Sequence, residues 1–445
     1  MTVAACLGML CFGYTTGIIA GALLYIDGSS GWLLSPLQKG ALVSSVTLGA
    51  VAGTLVAAVA STRLGRRRTL LINAGLYVVT AVLAACAPTL EPLLFARAAS
   101  GIAVGVSTSL TPMYIAECVP AERRGALTGW APFVGTLGIL CSYLVSLTLG
   151  PLPQGWRYML ALGAVPAAAQ LLVGLGLGWL PESPAWLEDV GRRGAAAAVR
   201  ARLGTETLTE VAKPLLTVGD SEDEEVESVT DGQSERGGAL RAEDGMGWRL
   251  LLQARYSRAL LVGLMMNVFQ QVTGINVLVY FAPKILHQVG FARETAIAIT
   301  SAIGVAQLAS NYVLTRLVDL WGRRPLAFVG LAGLCVGHAA LSVSFNPAVE
   351  GLSWAPWLGV TGIVLIRISF SLSMGPLPYI ITAEIFPRRV RAAGVAASSA
   401  ANWLANFAVS LSFLPLVALL TPQYASPARG SLSLASCTCM REPPC

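Results

Sequence analysis

Apolar residues in this chain are collected into long stretches, which polar and often arginine-rich segments separate. The hydrocarbon core of a bilayer is about 30 Å thick, so an α-helix needs about 20 apolar residues to cross it. Eleven stretches of that kind predict transmembrane helices at 3–26, 40–60, 69–87, 93–115, 125–149, 157–180, 258–281, 296–317, 325–345, 357–381 and 394–420. The pattern therefore predicts an all-α polytopic membrane protein.

The arginine-rich segments indicate how these helices are oriented. They follow the second, fourth, eighth and tenth stretches, which all end on one side, and the intervening loops contain few Lys or Arg. Because cytoplasmic loops carry an excess of basic residues, that side is expected to be cytoplasmic, with the N-terminus inside. The basic residues are Arg63, Arg66, Arg67, Arg68, Arg123, Arg124, Arg323, Arg324, Arg388, Arg389 and Arg391.

Composition agrees with a membrane protein and narrows the function. Of the 445 residues 55% are hydrophobic and 12% are charged, and a soluble protein of that balance would have too little polar surface to cover its core. The net charge of +6 follows from the basic loops, so it does not call for a nucleic-acid partner. Nine cysteines without a CxxC pair and two histidines predict no metal site, and we expect no cofactor. No His–Asp or Ser–His constellation suggests an enzyme.

A polar segment divides the helices into two groups. Its centre, VGDSEDEEVESVTDGQSERGG, is acidic and has no aromatic residue, so a flexible cytoplasmic linker with short helices at either end is predicted. The expected organisation is an N-terminal six-helix half at 1–180, the linker at 181–257, a C-terminal half with five evident helices at 258–420, and an atypical polar tail at 421–445.

The two groups of helices repeat each other's sequence. TRLGRRRTLL after the second stretch matches VDLWGRRPLA after the eighth, and PMYIAECVPAERRGAL at the end of the fourth matches PYIITAEIFPRRVRAAG at the end of the tenth. Duplication of a six-helix unit is typical of a rocking transporter, whose substrate site lies between the halves near the middle of the membrane. Glu117 and Glu384 lie beside the arginines at these turns. Such Glu–Arg pairs can hold a gate shut and break when the halves rock apart; alternatively, the arginines only set the topology.

Several motifs occur together in one order along the chain: RAASGIAVGVSTSLTPMYIAECVPAERRG, GWRYMLALGAVP, PESPAWL, QQVTGINVLVYFAP, DLWGRR, GPLPYIITAEIFPRRVR and NWLAN. With these motifs the chain resembles the sugar porter family of the major facilitator superfamily. The resemblance implies a fold of two six-helix halves in a lipid bilayer, here with only eleven evident transmembrane helices. It also implies a monosaccharide or polyol as substrate.

The residues that the resemblance implies for substrate are amides and aromatic rings. Amides both donate and accept hydrogen bonds to sugar hydroxyls, and aromatic rings cover the flat C–H faces of a sugar. Gly274 would let the seventh helix deviate, so that amides on either side of it face one cavity. The alternative is that single amides only hold helices together in lipid. The predicted substrate-binding residues are Gln270, Gln271, Asn276, Gln307, Phe370, Tyr379, Asn402 and Trp403.

The same resemblance extends the set of gating residues on the cytoplasmic side. Thr62 stands where the first-half gate motif has Asp, so that gate is expected to be weaker than the second-half gate at Asp319. The predicted gating residues are Arg63, Arg66, Arg67, Glu117, Arg124, Glu182, Asp319, Arg323, Arg324, Glu384 and Arg391. Three further departures put the range of substrates in question: Pro132 replaces a sugar-contacting Gln, Tyr379 replaces Trp, and Ala185 replaces Arg.

One departure bears on energy coupling. Proton-coupled members of the family have Asp in the first helix, paired with an Arg in the fourth, but here Thr15 stands opposite Arg97. Threonine has no accessible protonation equilibrium, and proton coupling needs a group whose pKa changes between access states. We therefore expect facilitative uniport, with symport through another acid as the alternative. Arg367, about ten residues into the tenth helix, must face the cavity or find a partner.

The last segment leaves three questions open. Residues 421–445 are polar and rich in Pro and Ser, so a twelfth helix is not evident. A truncated product that does not transport is therefore an alternative reading, and a non-transporting sugar sensor is a further one. The sequence does not distinguish the plasma membrane from a plastid or vacuolar membrane, and it does not indicate an oligomeric state.

Overall fold

A computed structural model describes residues 1–29, 32–120, 123, 127–204, 249–321, 323–349, 352–387 and 390–420. The regular elements of this part are helices. Their bounds are α1 Thr2–Ser29, α2 Pro36–Leu64, α3 Arg66–Cys86, α4 Leu90–Cys118, α5 Trp130–Leu149, α6 Gly155–Ala161, α7 Ala164–Leu171, α8 Pro184–Asp189, α9 Arg193–Leu203, α10 Ser257–Val272, α11 Ile275–Gln288, α12 Arg293–Trp321, α13 Arg323–Ser344, α14 Ala355–Leu372, α15 Leu377–Ile385 and α16 Arg391–Leu420. One π-helical turn, Leu172–Gly176, and two short 3₁₀ turns complete them.

Eleven helical segments of the described residues are long and apolar enough to cross a membrane. They coincide with the eleven predicted stretches, so the all-α polytopic fold class is confirmed. The predicted linker contributes α8 and α9 at its N-terminal end. Its acidic centre and the tail at 421–445 lie outside the described residues.

Three of the predicted spans are interrupted. The prediction of a single helix was wrong for the sixth and the tenth, whereas in the seventh the helix deviates at Gly274, as expected. The sixth span is divided between α6 and α7 and ends in the π-helical turn. The seventh is divided at Gly274, whose φ of +75° lies in the left-handed region that glycine adopts without strain. The tenth is divided between α14 and α15, where Gly375 and Pro376 follow each other and proline cannot donate a helical hydrogen bond. Hydrophobicity alone does not register these interruptions, because the residues that cause them are themselves apolar.

Glycines allow α2 and α4 to pack with their backbones in direct contact. Gly49 and Gly53 on α2 face Gly101 and Gly105 on α4 at the same four-residue spacing. A Cβ atom on Gly49 would overlap the carbonyl oxygen of Ala98, and the other three would each overlap a main-chain atom of the facing helix. Small residues at this spacing let membrane helices approach closely, where van der Waals packing replaces the hydrophobic effect.

The buried core is distributed unevenly across the membrane. At the end opposite the basic loops, one cluster joins both halves, with Ile26 and Leu42 from the first and Ile285 and Leu286 from the second. At the basic end, the described residues form separate clusters, one in the first half and one around Phe386 that joins the second half to Leu251 and Tyr256 at the end of the predicted linker. Among the described residues, the two halves thus share a core at the end opposite the basic loops and have separate cores at the basic end.

Candidate functional site

At the interruption of the tenth span, two main-chain carbonyl groups accept hydrogen bonds from the first of a series of hydrogen-bonded amides, the amide chain. The carbonyl groups of Met374 and Gly375 lie in the gap between α14 and α15, where no helical N–H group reaches them. Gln270, on α10, donates its Nε2 hydrogens to both, at 2.7 Å and 2.8 Å. Because a main-chain carbonyl can only accept, these two bonds fix which end of the Gln270 amide is nitrogen.

Because Gln270 is fixed, each hydrogen bond in turn fixes the amide orientation of three further predicted residues. Asn402 Nδ2 donates to Gln270 Oε1 at 2.5 Å, Gln271 Nε2 donates to Asn402 Oδ1 at 3.0 Å, and Asn276 Nδ2 donates to Gln271 Oε1 at 2.5 Å. Gln270, Gln271 and Asn402 are buried, whereas Asn276 is half-buried. The chain therefore ends at Asn276 Oδ1, an acceptor that has no hydrogen-bond partner among the described residues.

Gly274 makes this geometry available. In a continuous helix Gln271 and Asn276 would lie five residues apart and on different faces. The left-handed turn at Gly274 ends α10 and starts α11, and it brings the two side chains into hydrogen-bond contact. Asn267, one turn before Gln271, was not predicted; its carbonyl accepts from Asn402 Nδ2 at 3.2 Å.

The fifth predicted amide, Gln307, is not part of this series of hydrogen-bonded amides. Its Oε1 accepts from Arg367 Nη1 at 2.5 Å. Arg367 Nη2 also donates to the hydroxyl of Tyr143 at 3.1 Å and to the carbonyl of Leu278 at 3.2 Å. The sequence marked Arg367 as needing a partner, but it did not predict which residues those partners would be.

The three predicted aromatic residues have different environments. Phe370 is half-buried against the core cluster that joins the halves. Trp403 makes an edge-to-face contact with Phe12 of the first half, with ring centroids 6.4 Å apart. Tyr379 keeps 52% of its surface accessible.

The position opposite Arg97 contains no acid. Arg97 is buried, and its Nη1 donates to the backbone carbonyl of Thr15 at 3.0 Å. Its Nε has no partner among the described residues. The neighbouring Tyr14 donates its hydroxyl to the carbonyl of Met159 at 2.7 Å and so ties the first span to the sixth. Arg97 is therefore held by a main-chain dipole rather than by a carboxylate.

At the end of the bundle that has the basic loops, four of the predicted gating residues form one connected network: Arg66, Arg67, Glu117 and Glu182. The Arg66 guanidinium is bidentate on Glu117, through Nε at 3.0 Å and Nη2 at 2.9 Å, and donates to the carbonyl of Ser61. The Ser183 hydroxyl donates to the same carboxylate at 2.5 Å. Two-point pairing of this kind is strong and directional. It joins the loop between α2 and α3 to the end of α4 and to the start of α8.

Glu182 completes the network at the N-terminus of α3. Its Oε1 accepts from the backbone N–H groups of Arg66 and Arg67, at 2.8 Å and 2.9 Å, where a carboxylate complements the helix dipole. Gly65, with a φ of +90°, makes the turn between the two helices. Arg67 also donates to the carbonyl of Gly174, beyond α7. All these contacts lie within the first half and its connection to the linker.

The remaining predicted gating residues are not part of this network as described. Arg63 and Arg324 are exposed. Arg124 lies outside the described residues, and so do the side chains of Asp319, Arg323, Glu384 and Arg391. Among the described residues, Ser183 contributes the one side chain of this network that sequence reasoning missed. Its signal was its position before Pro184, where it caps α8 by accepting from the Trp186 N–H.

Comparison with known proteins finds similarity along most of the chain. The sequence model described as "Sugar (and other) transporter" matches residues 1–434. Plastidic glucose transporter 4 of Arabidopsis thaliana is 31% identical over 413 residues, which cover 93% of this chain and 71% of that protein. A galactose-proton symporter of Escherichia coli K12 is 32% identical over 415 residues, 93% of this chain and 84% of that protein. A D-xylose transporter of Levilactobacillus brevis is 31% identical, with 92% and 84% covered.

Solved structures of similar fold include the xylose transporter XylE of E. coli. Its inward-open conformation superposes with a TM-score of 0.75 at 27% identity, covering 95% of this chain and 92% of that one. The proton:xylose symporter XylE bound to 6-bromo-6-deoxy-D-glucose gives a TM-score of 0.73 at 28% identity, with 95% and 88% covered.

Proposed function

Because the chain belongs to the sugar transporter family of the major facilitator superfamily, we propose that it carries a hexose-like monosaccharide or a polyol by alternating access, as a facilitative uniporter. The observation that carries the mode of transport is the absence of an acid beside Arg97. The family supplies the class of substrate, and the amide chain supports the identification of the residues that bind it.

The chemistry of the amide chain suits a polyhydroxylated ligand. Each sugar hydroxyl can donate and accept, so it pairs with an amide of either orientation. Asn276 offers its Oδ1 as an acceptor at the open end of the chain, while the buried amides behind it are held by one another. Relatives named for glucose, xylose and galactose support a neutral monosaccharide as substrate.

The distribution of acids supports uniport. In the eleven candidate spans, Asp and Glu occur only near span ends, as Glu91, Glu117 and Glu294. Glu117 is committed to Arg66 on the cytoplasmic side. Proton coupling requires a group that titrates as access changes, and the position opposite Arg97 has a threonine whose carbonyl takes the hydrogen bond. A change of access at this position therefore leaves proton occupancy unchanged.

A second mode, symport with protons, is favoured by the relatives that are proton symporters. Symport in this chain would need a different acid, and the acid would have to lie outside the described membrane interior. The two modes differ in one measurable respect. A uniporter equilibrates sugar whatever the proton gradient, whereas a symporter accumulates sugar only while the gradient lasts.

The test is uptake of labelled D-glucose, D-galactose and D-xylose by cells that lack their own hexose carriers and express this chain. Uniport predicts uptake that stops at equilibrium and survives a protonophore. Loss of uptake with the protonophore would refute uniport and support symport. The matched control for the mode of transport is Thr15→Asp, which places a carboxylate beside Arg97. The substrate class is tested separately: protein that reaches the cell surface but carries none of the three sugars would refute it.

A further inference from the structure

Arg367 is a buried cation at the junction between the two halves. It lies within α14 with 0% of its surface exposed, and it makes no ion pair among the described residues. A guanidinium does not lose its proton in a protein, so the charge persists. A charged side chain at mid-membrane costs roughly 2.5–3.5 kcal/mol on insertion scales. Because the neutral partners of Arg367 do not cancel its charge, this free-energy cost suggests that the residue has a function.

The contacts of Arg367 come from three different spans. Nη1 donates to Gln307 Oε1 on α12, while Nη2 donates to the Tyr143 hydroxyl on α5 and to the Leu278 carbonyl on α11. Tyr143 is itself oriented, because its hydroxyl donates to the carbonyl of Val279 at 2.8 Å and so turns a lone pair toward Arg367. The guanidinium is thus held on two sides by groups that do not move with Gln307.

The consequence for Gln307 is a fixed amide orientation. A guanidinium has donors only, so the atom of Gln307 that faces Arg367 must be the carbonyl oxygen. The Nε2 hydrogens are then turned away from Arg367, and they have no partner among the described residues. A glutamine that is free to rotate would present either a donor or an acceptor to a ligand, whereas this one presents a donor.

We propose that Arg367 is a positioning residue for substrate selection: it holds Gln307 so that only the Nε2 donor is available to an oxygen atom of the bound sugar. The proposal rests on the proposed function, since it gives Gln307 a sugar to bind. The proposal also gives the buried positive charge a function, which is to fix the orientation of the Gln307 amide. Rotation of the amide would place its N–H groups against the guanidinium, so the cation makes the wrong orientation unfavourable.

Deoxyfluoro sugars distinguish a donor from an acceptor in the site. Fluorine in place of a hydroxyl can accept weakly but cannot donate. A site that offers a donor at that hydroxyl tolerates the fluoro sugar, and a site that offers an acceptor rejects it. The Gln307→Glu variant keeps an oxygen for Arg367 and replaces the outward N–H₂ by a second oxygen. It changes the presented atom while the contact to Arg367 persists, now as an ion pair.

The experiment uses the full chain in proteoliposomes and measures KM and maximal rate for D-glucose and its 2-, 3-, 4- and 6-deoxyfluoro analogues. In Gln307→Glu we expect the KM of at least one analogue, relative to glucose, to rise about tenfold over the same ratio in the unmodified protein. Arg367→Met frees the amide to rotate and should raise the KM for glucose severalfold. Arg367→Lys, which can still donate to Gln307, should restore part of that loss.

Tyr143→Phe is the matched control. It removes one of the two partners of Arg367 Nη2, while the Leu278 carbonyl still holds that nitrogen and the Gln307 contact stays in place. The fluoro-to-glucose KM ratios should therefore remain those of the unmodified protein. Unchanged ratios in Gln307→Glu would overturn the proposal, as would an Arg367→Met variant that loses maximal rate at unchanged KM.

A second measurement does not depend on transport. In a double-mutant cycle of thermal unfolding, Gln307→Glu should be tolerated with Arg367 present and should lower the melting temperature markedly in the Arg367→Met background. Additive effects would overturn the contact on which the proposal depends. Coupling between the two sites together with no sugar bound or carried would instead refute the proposed function, and the selection role with it.

Discussion

The ion pair between Arg66 and Glu117 allows a quantitative prediction. Their side chains keep only 10% and 18% of their surface exposed, and Glu117→Gln removes the carboxylate charge while it preserves the volume. Removing one partner of a buried pair costs about 3–5 kcal/mol, because the remaining charge is left without compensation. Some solvent reaches this pair and the Ser61 carbonyl still accepts from Arg66. We therefore expect a loss at the low end of that range, about 3 kcal/mol.

The control is an exposed ion pair on the same side of the membrane. Glu188 pairs with Arg200 at 2.5 Å, with 41% and 31% of their side chains exposed, and exposed pairs contribute about 0.2–1 kcal/mol. The free energies of unfolding of Glu117→Gln and Glu188→Gln are measured by SDS titration in mixed micelles, followed by circular dichroism. If Glu117→Gln costs no more than Glu188→Gln, burial of the Arg66 pair is not what stabilises this part of the first half.

Three further predictions concern the packing and the site. Gly274→Ala forces a Cβ residue into a left-handed conformation, at about 1–2 kcal/mol of stability, and misaligns Gln271 and Asn276; unfolding and the KM for glucose both report it, and an unchanged KM would count against the role of this turn. Gly101→Ala places a Cβ on the Val46 carbonyl, so the yield of monodisperse protein should fall sharply. Gly75→Ala, which meets no atom within 4 Å, is its control and should leave the yield unchanged. Asn402→Ala removes the hydrogen bond that Gln270 Oε1 accepts at 2.5 Å and the one that Gln271 Nε2 donates at 3.0 Å, and leaves only the longer bond of 3.4 Å between these two amides. We expect a cost of about 1–3 kcal/mol. The KM for glucose should rise about tenfold, since 1.4 kcal/mol is a factor of ten. A KM within twofold of that of the unmodified protein would show that the hydrogen-bonded amides do not bind the substrate.

The sequence allowed the membrane spans to be predicted because crossing a bilayer imposes a length and a composition that local residues must satisfy. The motifs likewise allowed residues that lie together in the structure to be predicted. Four of the five predicted amides, Gln270, Gln271, Asn276 and Asn402, lie in one hydrogen-bonded chain, and Arg66, Glu117 and Glu182 lie in one network. Their roles in binding and gating stay predictions.

Other features could not be read from the sequence, because they depend on contacts between distant residues. Gln307 was grouped with the other amides by residue type, but its oxygen is taken by Arg367, 60 residues away. The resemblance placed Thr15 opposite Arg97 but did not indicate which atom Arg97 would contact, and that atom is the backbone carbonyl oxygen. The interruptions of the sixth and tenth spans could not be read from the hydrophobic pattern, and Gly274 indicated where the seventh could deviate but not which side chains would then meet.

The sequence by itself determined the eleven spans of the described residues, the span ends at which the basic loops lie, and the residue type opposite Arg97. Each of these is a property of residue type and local order, which hydrophobicity and charge express directly. Only the tertiary structure decided the direction of each amide in the site, the partners of the buried arginines, and the side on which the halves share a core. Hydrogen-bond polarity and packing depend on which groups from different spans meet, and that is fixed only when the helices are assembled.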